Sequence, residues 1–316
     1  MELRKDYILN RWVIISERRK SRPKQFDNPI SQEEVKVCYF CPGNEHLTPE
    51  EKGRVEEHGK WIIRWFDNKF PITEPTGNPN IRTDNTFYTF ASPFGYHEVI
   101  VETNDHKKQL WDLPSEHLSK LFKVYSQRIE ELSKHEHVKY VSVFKNHGKK
   151  GGTSIVHTHT QLVTFNKVPS TIIEEIDACM DFGDCPYCRI IEIEKDSHRR
   201  CFENEHFVAF TPYASRFNYE IWVFSKKHVD NITELDDIEI DSLADIMDRI
   251  LKKLREVNTA YNFYLHNAPP GHKLHFHIEV VPRIATWAGF ELSTGCIVNS
   301  VSPEVAAAFY RGEDMD

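Results

Sequence analysis

The sequence has no excess of positive charge and no long apolar run. Lys and Arg total 40 against 48 Asp and Glu, a net charge of −8. A general nucleic-acid binder needs a basic face, so no nucleic-acid partner is expected. A small anionic ligand stays open, because a few local donors hold a phosphate inside an acidic protein. No window approaches the roughly 20 apolar residues of a spanning helix, so no membrane partner is expected either. The first residues, MELRKDYILNRWVII, are charged and lack the apolar centre of a signal peptide. In such a chain, Cys-x-x-Cys pairs point to metal binding or redox use rather than a disulfide framework, and to a cytoplasmic setting.

What is present is an ordinary globular composition, 40% apolar and 28% charged, in 316 residues. That length suits one to two domains. Four of the seven cysteines form two pairs, Cys38 and Cys41 in CYFC, Cys185 and Cys188 in CPYC. Cys179, Cys201 and Cys296 are scattered and read as small buried apolar side chains.

Setting the two pairs in register exposes an internal repeat. EVIVETNDHKKQLWDL (98–113) aligns without a gap on EIWVFSKKHVDNITEL (220–235), Glu98 on Glu220 and His106 on His228. Each copy reads as a strand, a turn and an amphipathic helix. The first helix has Leu118, Leu121, Phe122 and Tyr125 on one face with Ser115 as its N-cap; the second has Leu243, Ile246, Ile250 and Leu254. Two strand-like runs follow in each copy, 139–146 and 154–165, then 260–267 and 273–282. The expected fold is α+β, two tandem similar halves (1–168 and 169–316), each a mostly antiparallel sheet with one packed main helix.

A structural zinc site needs four soft or borderline ligands. The repeat nominates Cys38, Cys41, His106 and His157 in the first half, and Cys185, Cys188, His228 and His275 in the second, for one or two zinc ions. His97 precedes a strand but aligns on Tyr219, and is read as a surface or hydrogen-bonded histidine.

In GGTSIVHTHTQLVTF (151–165), strand alternation puts His157, His159 and Gln161 on one face. With His157 on a metal, His159 is held nearby, and a neutral imidazole is a competent nucleophile toward phosphorus. The Gln161 amide, Ser154, and the backbone N–H groups of the turn holding Gly152 and Thr153 read as donors to phosphoryl oxygens. Asn146 precedes that turn on the neighbouring strand; Lys149 and Lys150 read equally well as solvated loop residues. The second copy has no such turn, and Glu279 stands where Gln161 does, so that half reads as scaffold.

HTHTQLV resembles the His-x-His-x-Gln motif of the histidine-triad superfamily. The wider pattern (RWVIISERRKSRP, CYFCPGNE, DNKFP, ETNDH, FKNHGKKGGTSIVHTHTQ, HNAPPG, HFHIEVVP, GFEL) resembles its tandem branch, the galactose-1-phosphate uridylyltransferase family, over nearly the whole chain. The resemblance implies that His159 is the covalent nucleophile. It implies Ser154 and Gln161 as phosphate binders with Asn146 in the same pocket, and Asn68, with Phe70 beside it, as a nucleotide contact. Arg19 and Arg22 would lie near the nucleotide, and Glu291 would contact a sugar hydroxyl close to the partner subunit of a homodimer. The implied substrates are a nucleoside diphosphate sugar and a sugar 1-phosphate, exchanging UMP by double displacement. Departures from the family pattern, His-Thr-His-Thr-Gln, Ile155 after the serine and no glutamine after GFEL, resemble the ADP-glucose phosphorylase branch, which passes its nucleotidyl group to phosphate. Some relatives build the second metal site from a glutamate and three histidines, here Glu175, His266, His275 and His277. A zinc-stabilised nucleotide-binding module without catalysis is the reading from another class.

Overall fold

A computed structural model of the chain describes residues 2–6, 8–9, 12–15, 37–84 and 86–313. Arg19 and Arg22 lie outside the described residues. Ten strands form one sheet in the order Arg200–Glu203, Phe207–Phe210, Ile221–Ser225, His277–Pro282, Tyr261–His266, Tyr140–His147, His159–Phe165, His97–Val101, Lys60–Asp67, Glu51–Glu57. Every neighbouring pair is antiparallel. Each half of the chain supplies five consecutive strands, and the two sets run outward from a common seam in matching order. At the seam Tyr261 lies opposite His147 and Asn262 opposite Asn146. The fold is α+β, as the repeat predicts, and the two half-sheets are continuous.

The helices follow from their apolar periodicity. Helix Ser115–Ser133 buries Leu118, Leu121, Phe122 and Tyr125, and helix Asp237–Val257 buries Leu243, Ile246, Ile250 and Leu254. Both cover one face of the sheet and join a single core containing Val143, Leu162, Phe263 and Ile278 from the central strands of both halves. Asp236 caps the second helix, its carboxylate accepting from Glu239 N–H at 2.8 Å. Ser115 is not the cap of the first. Pro114, extended at ψ 162°, takes that place, and its carbonyl accepts from His117 and Leu118 N–H. The strand expected over 154–165 begins only at His159, because the chain before it turns toward the CYFC loop; the second copy likewise begins its strand at His277. The linking stretch holds two helices, Ser170–Met180 and Pro186–Glu194. Of the scattered cysteines only Cys201 is fully buried.

A second, three-stranded sheet joins the chain's two ends. Glu2–Lys5 pairs antiparallel with Trp12–Ile15, which pairs parallel with Ile297–Asn299. Arg4 ties this sheet to the second half through Glu304 at 3.0 Å and the Tyr213 carbonyl at 3.2 Å. No helix among the described residues is long and apolar enough to cross a membrane.

Because one core spans the seam, truncating a seam side chain should weaken both halves together. Phe263→Ala is expected to cost about 3–5 kcal/mol and to leave one cooperative transition in urea, followed by tryptophan fluorescence and far-ultraviolet dichroism. Two separable transitions would contradict the shared core.

Candidate active site

Two Cys/His clusters form at equivalent places in the halves. In the first, a tight turn (Cys41 N–H to Cys38 O, 3.4 Å) presents both sulfurs. His157 Nδ1 lies 3.5 Å from Cys38 Sγ and 3.6 Å from Cys41 Sγ, and His106 Nδ1 lies 3.4 Å from Cys41 Sγ. His157 donates Nε2–H to the Thr103 carbonyl at 2.7 Å, which leaves Nδ1 unprotonated and facing the sulfurs. In the second, Cys185 begins the helix Pro186–Glu194 that carries Cys188. His275 Nδ1 lies 3.8 and 3.4 Å from the two sulfurs, His228 Nδ1 lies 3.5 Å from Cys188 Sγ, and His275 Nε2–H donates to the Ser225 carbonyl at 2.8 Å. In each set the four ligand atoms lie within 4.8 Å of one another. Two sulfurs and two bare imidazole nitrogens suit a tetrahedral metal. Burial and the neighbouring Cys38 push the Cys41 thiol up to about 11, so a cation is needed to hold it as a thiolate.

Of the glutamate-and-three-histidine alternative, Glu175, His266 and His277 come together and His275 does not. His275 faces the sulfurs, and Glu175, His266 and His277 are grouped with Glu279 instead. Three of its members are engaged by protein partners, while His277 Nε2 has none. His266 Nδ1 sits 2.9 Å from Glu175 Oε2, Tyr264 OH donates to Glu279 at 2.5 Å, and Arg216 pairs with the same carboxylate.

Beyond His157 the chain enters the central sheet, and alternation divides its side chains. Thr158 and Thr160 face the helices; His159 and Gln161 face the other way. His159 is 7% exposed. Its Nδ1–H donates to the His157 carbonyl at 2.8 Å, which fixes the lone pair on Nε2. Burial, with the Lys145 ammonium adding to it, pushes this imidazole down to about 4, so it is neutral at physiological pH. The Phe40 ring stands edge-on to it at 5.3 Å. On the opposite face Lys145 donates to Glu102 at 2.6 Å, to Thr158 Oγ1 at 2.7 Å and to the His159 carbonyl at 3.1 Å. Glu102 also receives the Thr158 hydroxyl and, at 2.5 Å, that of Thr160.

On the strand beside that of His159 lies a residue that the repeat alignment led away from. His97 is buried rather than at the surface, and its Nε2 is 3.0 Å from Gln161 Oε1 and 3.1 Å from Asn68 Nδ2. Cross-strand register is the reason: Val99 opposes Gln161, which makes His97 its diagonal neighbour. Asn68 Oδ1 accepts from Phe70 N–H at 2.9 Å, and Phe70 is 80% exposed.

The remaining predicted residues are placed less uniformly. Asn146 accepts from Asn262 Nδ2 at 2.8 Å and lines a cleft of about 470 Å³ with Phe144, Asn262, Tyr264, Arg283 and Trp287, on the His159 face of the sheet. Ser154 is exposed. The N–H groups of Gly152 and Thr153 are not open donors: they close the turn onto the Lys149 and Gly148 carbonyls at 3.0 and 3.3 Å. Gly152 adopts φ +88°, which favours glycine there. Glu291 caps its own helix Gly289–Thr294 through Ala288 N–H at 2.9 Å.

His277, the counterpart of His159, keeps the same bond, Nδ1–H to the His275 carbonyl at 2.9 Å. It is fully buried against Phe224 and Tyr187, and its Nε2 has no hydrogen-bond partner. A nucleophile there has no route to a substrate.

The pattern of a family described as a domain of unknown function, DUF4921, matches residues 83–308. An ADP-glucose phosphorylase of Arabidopsis thaliana is 31% identical over 331 residues, covering 98% of this chain and 92% of that protein. A galactose-1-phosphate uridylyltransferase of Thermotoga maritima is 30% identical over 334 residues, covering 100% and 99%. Among solved structures, an ADP-glucose phosphorylase from Arabidopsis thaliana with bound ADP-glucose superposes with a TM-score of 0.85 at 30% identity over 99% of both chains.

The two clusters predict the metal content. After chelation and zinc reloading, the protein should retain two equivalents by elemental analysis, and replacing Cys38 and Cys41, or Cys185 and Cys188, by serine should remove one. Two equivalents in either paired variant would remove that pair from the ligand set.

Proposed function

The chain belongs to the DUF4921 family, whose relatives include galactose-1-phosphate uridylyltransferase and ADP-glucose phosphorylase, and from that premise we propose that it is a nucleotidyltransferase of the uridylyltransferase type. It moves UMP between a UDP-hexose and a hexose 1-phosphate by double displacement through a nucleotidyl-histidine. The observation that carries this reading is the state of His159: a neutral imidazole, its Nδ1–H held by a backbone carbonyl and its Nε2 lone pair available beside Gln161.

The Nε2 lone pair attacks the α-phosphorus, and the bond from phosphorus to the bridging oxygen breaks, so sugar 1-phosphate leaves with that electron pair. The ring gains positive charge, which the His157 carbonyl stabilises by accepting from Nδ1–H. A phosphate oxygen of the second sugar 1-phosphate then attacks the same phosphorus, the Nε2–P bond breaks, and His159 returns neutral. The Gln161 amide and Ser154 hydroxyl donate to the α-phosphate, with Asn146 in the same pocket and the Gly152–Thr153 turn as its wall. Asn68 and the exposed Phe70 face the nucleoside. Zinc held by Cys38, Cys41, His106 and His157, and by Cys185, Cys188, His228 and His275, would tie the Cys-x-x-Cys segments to the sheet and leave the chemistry to His159. The setting is cytoplasmic, and a homodimer brings Glu291 to the neighbouring sugar.

Adenylyl transfer from ADP-glucose to phosphate is the second reading, favoured by the 31% identity to a plant ADP-glucose phosphorylase and by the His-Thr-His-Thr-Gln spelling. Labelled UDP-glucose and ADP-glucose, each tried with hexose 1-phosphate, phosphate or water, separate the two readings and a hydrolase. His159→Gly should lower turnover on the order of 10⁴-fold or more and abolish label retained on the denatured protein. Turnover that survives this substitution would end the nucleophile assignment.

A further inference from the structure

Gln161 is an ambivalent side chain: its amide carries an acceptor oxygen and a donor nitrogen of nearly equal size. A phosphoryl oxygen needs the donor end. Nothing in Gln161 alone selects it, and an amide turned the other way would aim its oxygen at the anion. The selection comes from two backbone N–H groups in the segment after strand Lys60–Asp67. Ile72 N–H lies 3.2 Å from His97 Nδ1, and a backbone N–H only donates, so Nδ1 is the bare nitrogen and Nε2 carries the proton. Phe70 N–H lies 2.9 Å from Asn68 Oδ1, which by the same reasoning turns the Asn68 NH2 toward His97. Of the two groups beside Nε2–H, only Gln161 Oε1 accepts, at 3.0 Å; the Asn68 NH2, 3.1 Å away, is a second donor and makes no bond to it.

We infer that His97 is a positioning residue for nucleotidyl transfer: its Nε2–H binds Gln161 Oε1, and so presents the Gln161 NH2 to the α-phosphoryl group. The inference rests on the reading above that Gln161 meets that group. No protein acceptor for the Gln161 NH2 occurs among the described residues, as a ligand-facing donor requires. Burial holds the His97 imidazole neutral by lowering its pKa, which keeps Nδ1 open for Ile72. The same residue anchors the nucleoside side, since its carbonyl accepts from Asn68 N–H at 2.7 Å. One imidazole therefore joins the Asn68–Phe70 segment to the strand of His159.

A double-mutant cycle tests this. His97→Ala should lower kcat about 10- to 100-fold with KM changed less than about threefold, because the lost contact matters most as charge builds on the phosphoryl oxygens. In a Gln161→Ala background the same change should have little further effect. His97→Gln, whose amide nitrogen reaches the place of Nε2, should recover most of kcat; His97→Asn, which is too short, should not. Independent, multiplying effects in the cycle, or equal loss in the Gln and Asn variants, would overturn the inference. A second measurement needs no turnover: the long-range ¹H–¹⁵N spectrum of the substrate-free protein should show His97 protonated at Nε2 only. A proton on Nδ1 would overturn the inference whatever the kinetics. A wild-type protein that takes no label from either nucleotide sugar would instead end the functional reading, with the imidazole spectrum still deciding the role of His97.

Discussion

Everything in the molecule is organised by the pairing of Tyr140–His147 with Tyr261–His266. It turns two five-stranded sheets into one and lets two helices share a core. It also sets the second half to work on the first. Asn262 Nδ2 reaches across the seam to Asn146 Oδ1 at 2.8 Å and to the Gly151 carbonyl at 2.7 Å, bracing the loop before strand His159–Phe165. The approach is close: a Cβ on Gly151 would stand 2.9 Å from the Tyr261 carbonyl. The two halves are thus one mechanical unit at the seam.

Across the sheet, the strand of His159 separates two environments. On the helix side a buried lysine and glutamate neutralise each other and are saturated with hydroxyl and carbonyl partners. Removing either partner would leave an isolated buried charge, which is far costlier than losing the pair whole. On the other side the histidine is nearly dry and uncharged. The ammonium lies behind the strand, too buried to meet a substrate, yet it favours a neutral imidazole in front of it.

How much of this could be read in advance divides along physical lines. Periodicity carried the helix faces: Leu118 to Tyr125 and Leu243 to Leu254 are buried as the spacing predicts. Internal repetition carried the two Cys/His groupings, since it supplied a second copy against which to align His106 and His157. Local sequence failed where tertiary pairing decides. His97 acquires its partners only from cross-strand register and from a loop some 25 residues earlier, and its equivalent in the other half, Tyr219, gave no warning. The N–H groups of Gly152 and Thr153 were read as free donors because the glycines signalled a turn; the turn's own hydrogen bonds consume them. Pro114 displaced Ser115 as the cap by backbone geometry alone. Similarly, the assignment of His275 turned on which of two nearby acceptor groups its ring faces, a matter of ring orientation that spacing does not encode.

The small sheet at the chain's ends bears on the order in which the protein can be made. Ile297–Asn299, the parallel partner of Trp12–Ile15, follows it in the chain by about 280 residues. Both halves of the large sheet can pair before then, since each is built from strands near one another in sequence. Until Ile297–Asn299 is made, Trp12–Ile15 keeps one edge unpaired, an exposed edge of the kind that chaperones shield. The small sheet is thus closed by a strand made long after the two it joins.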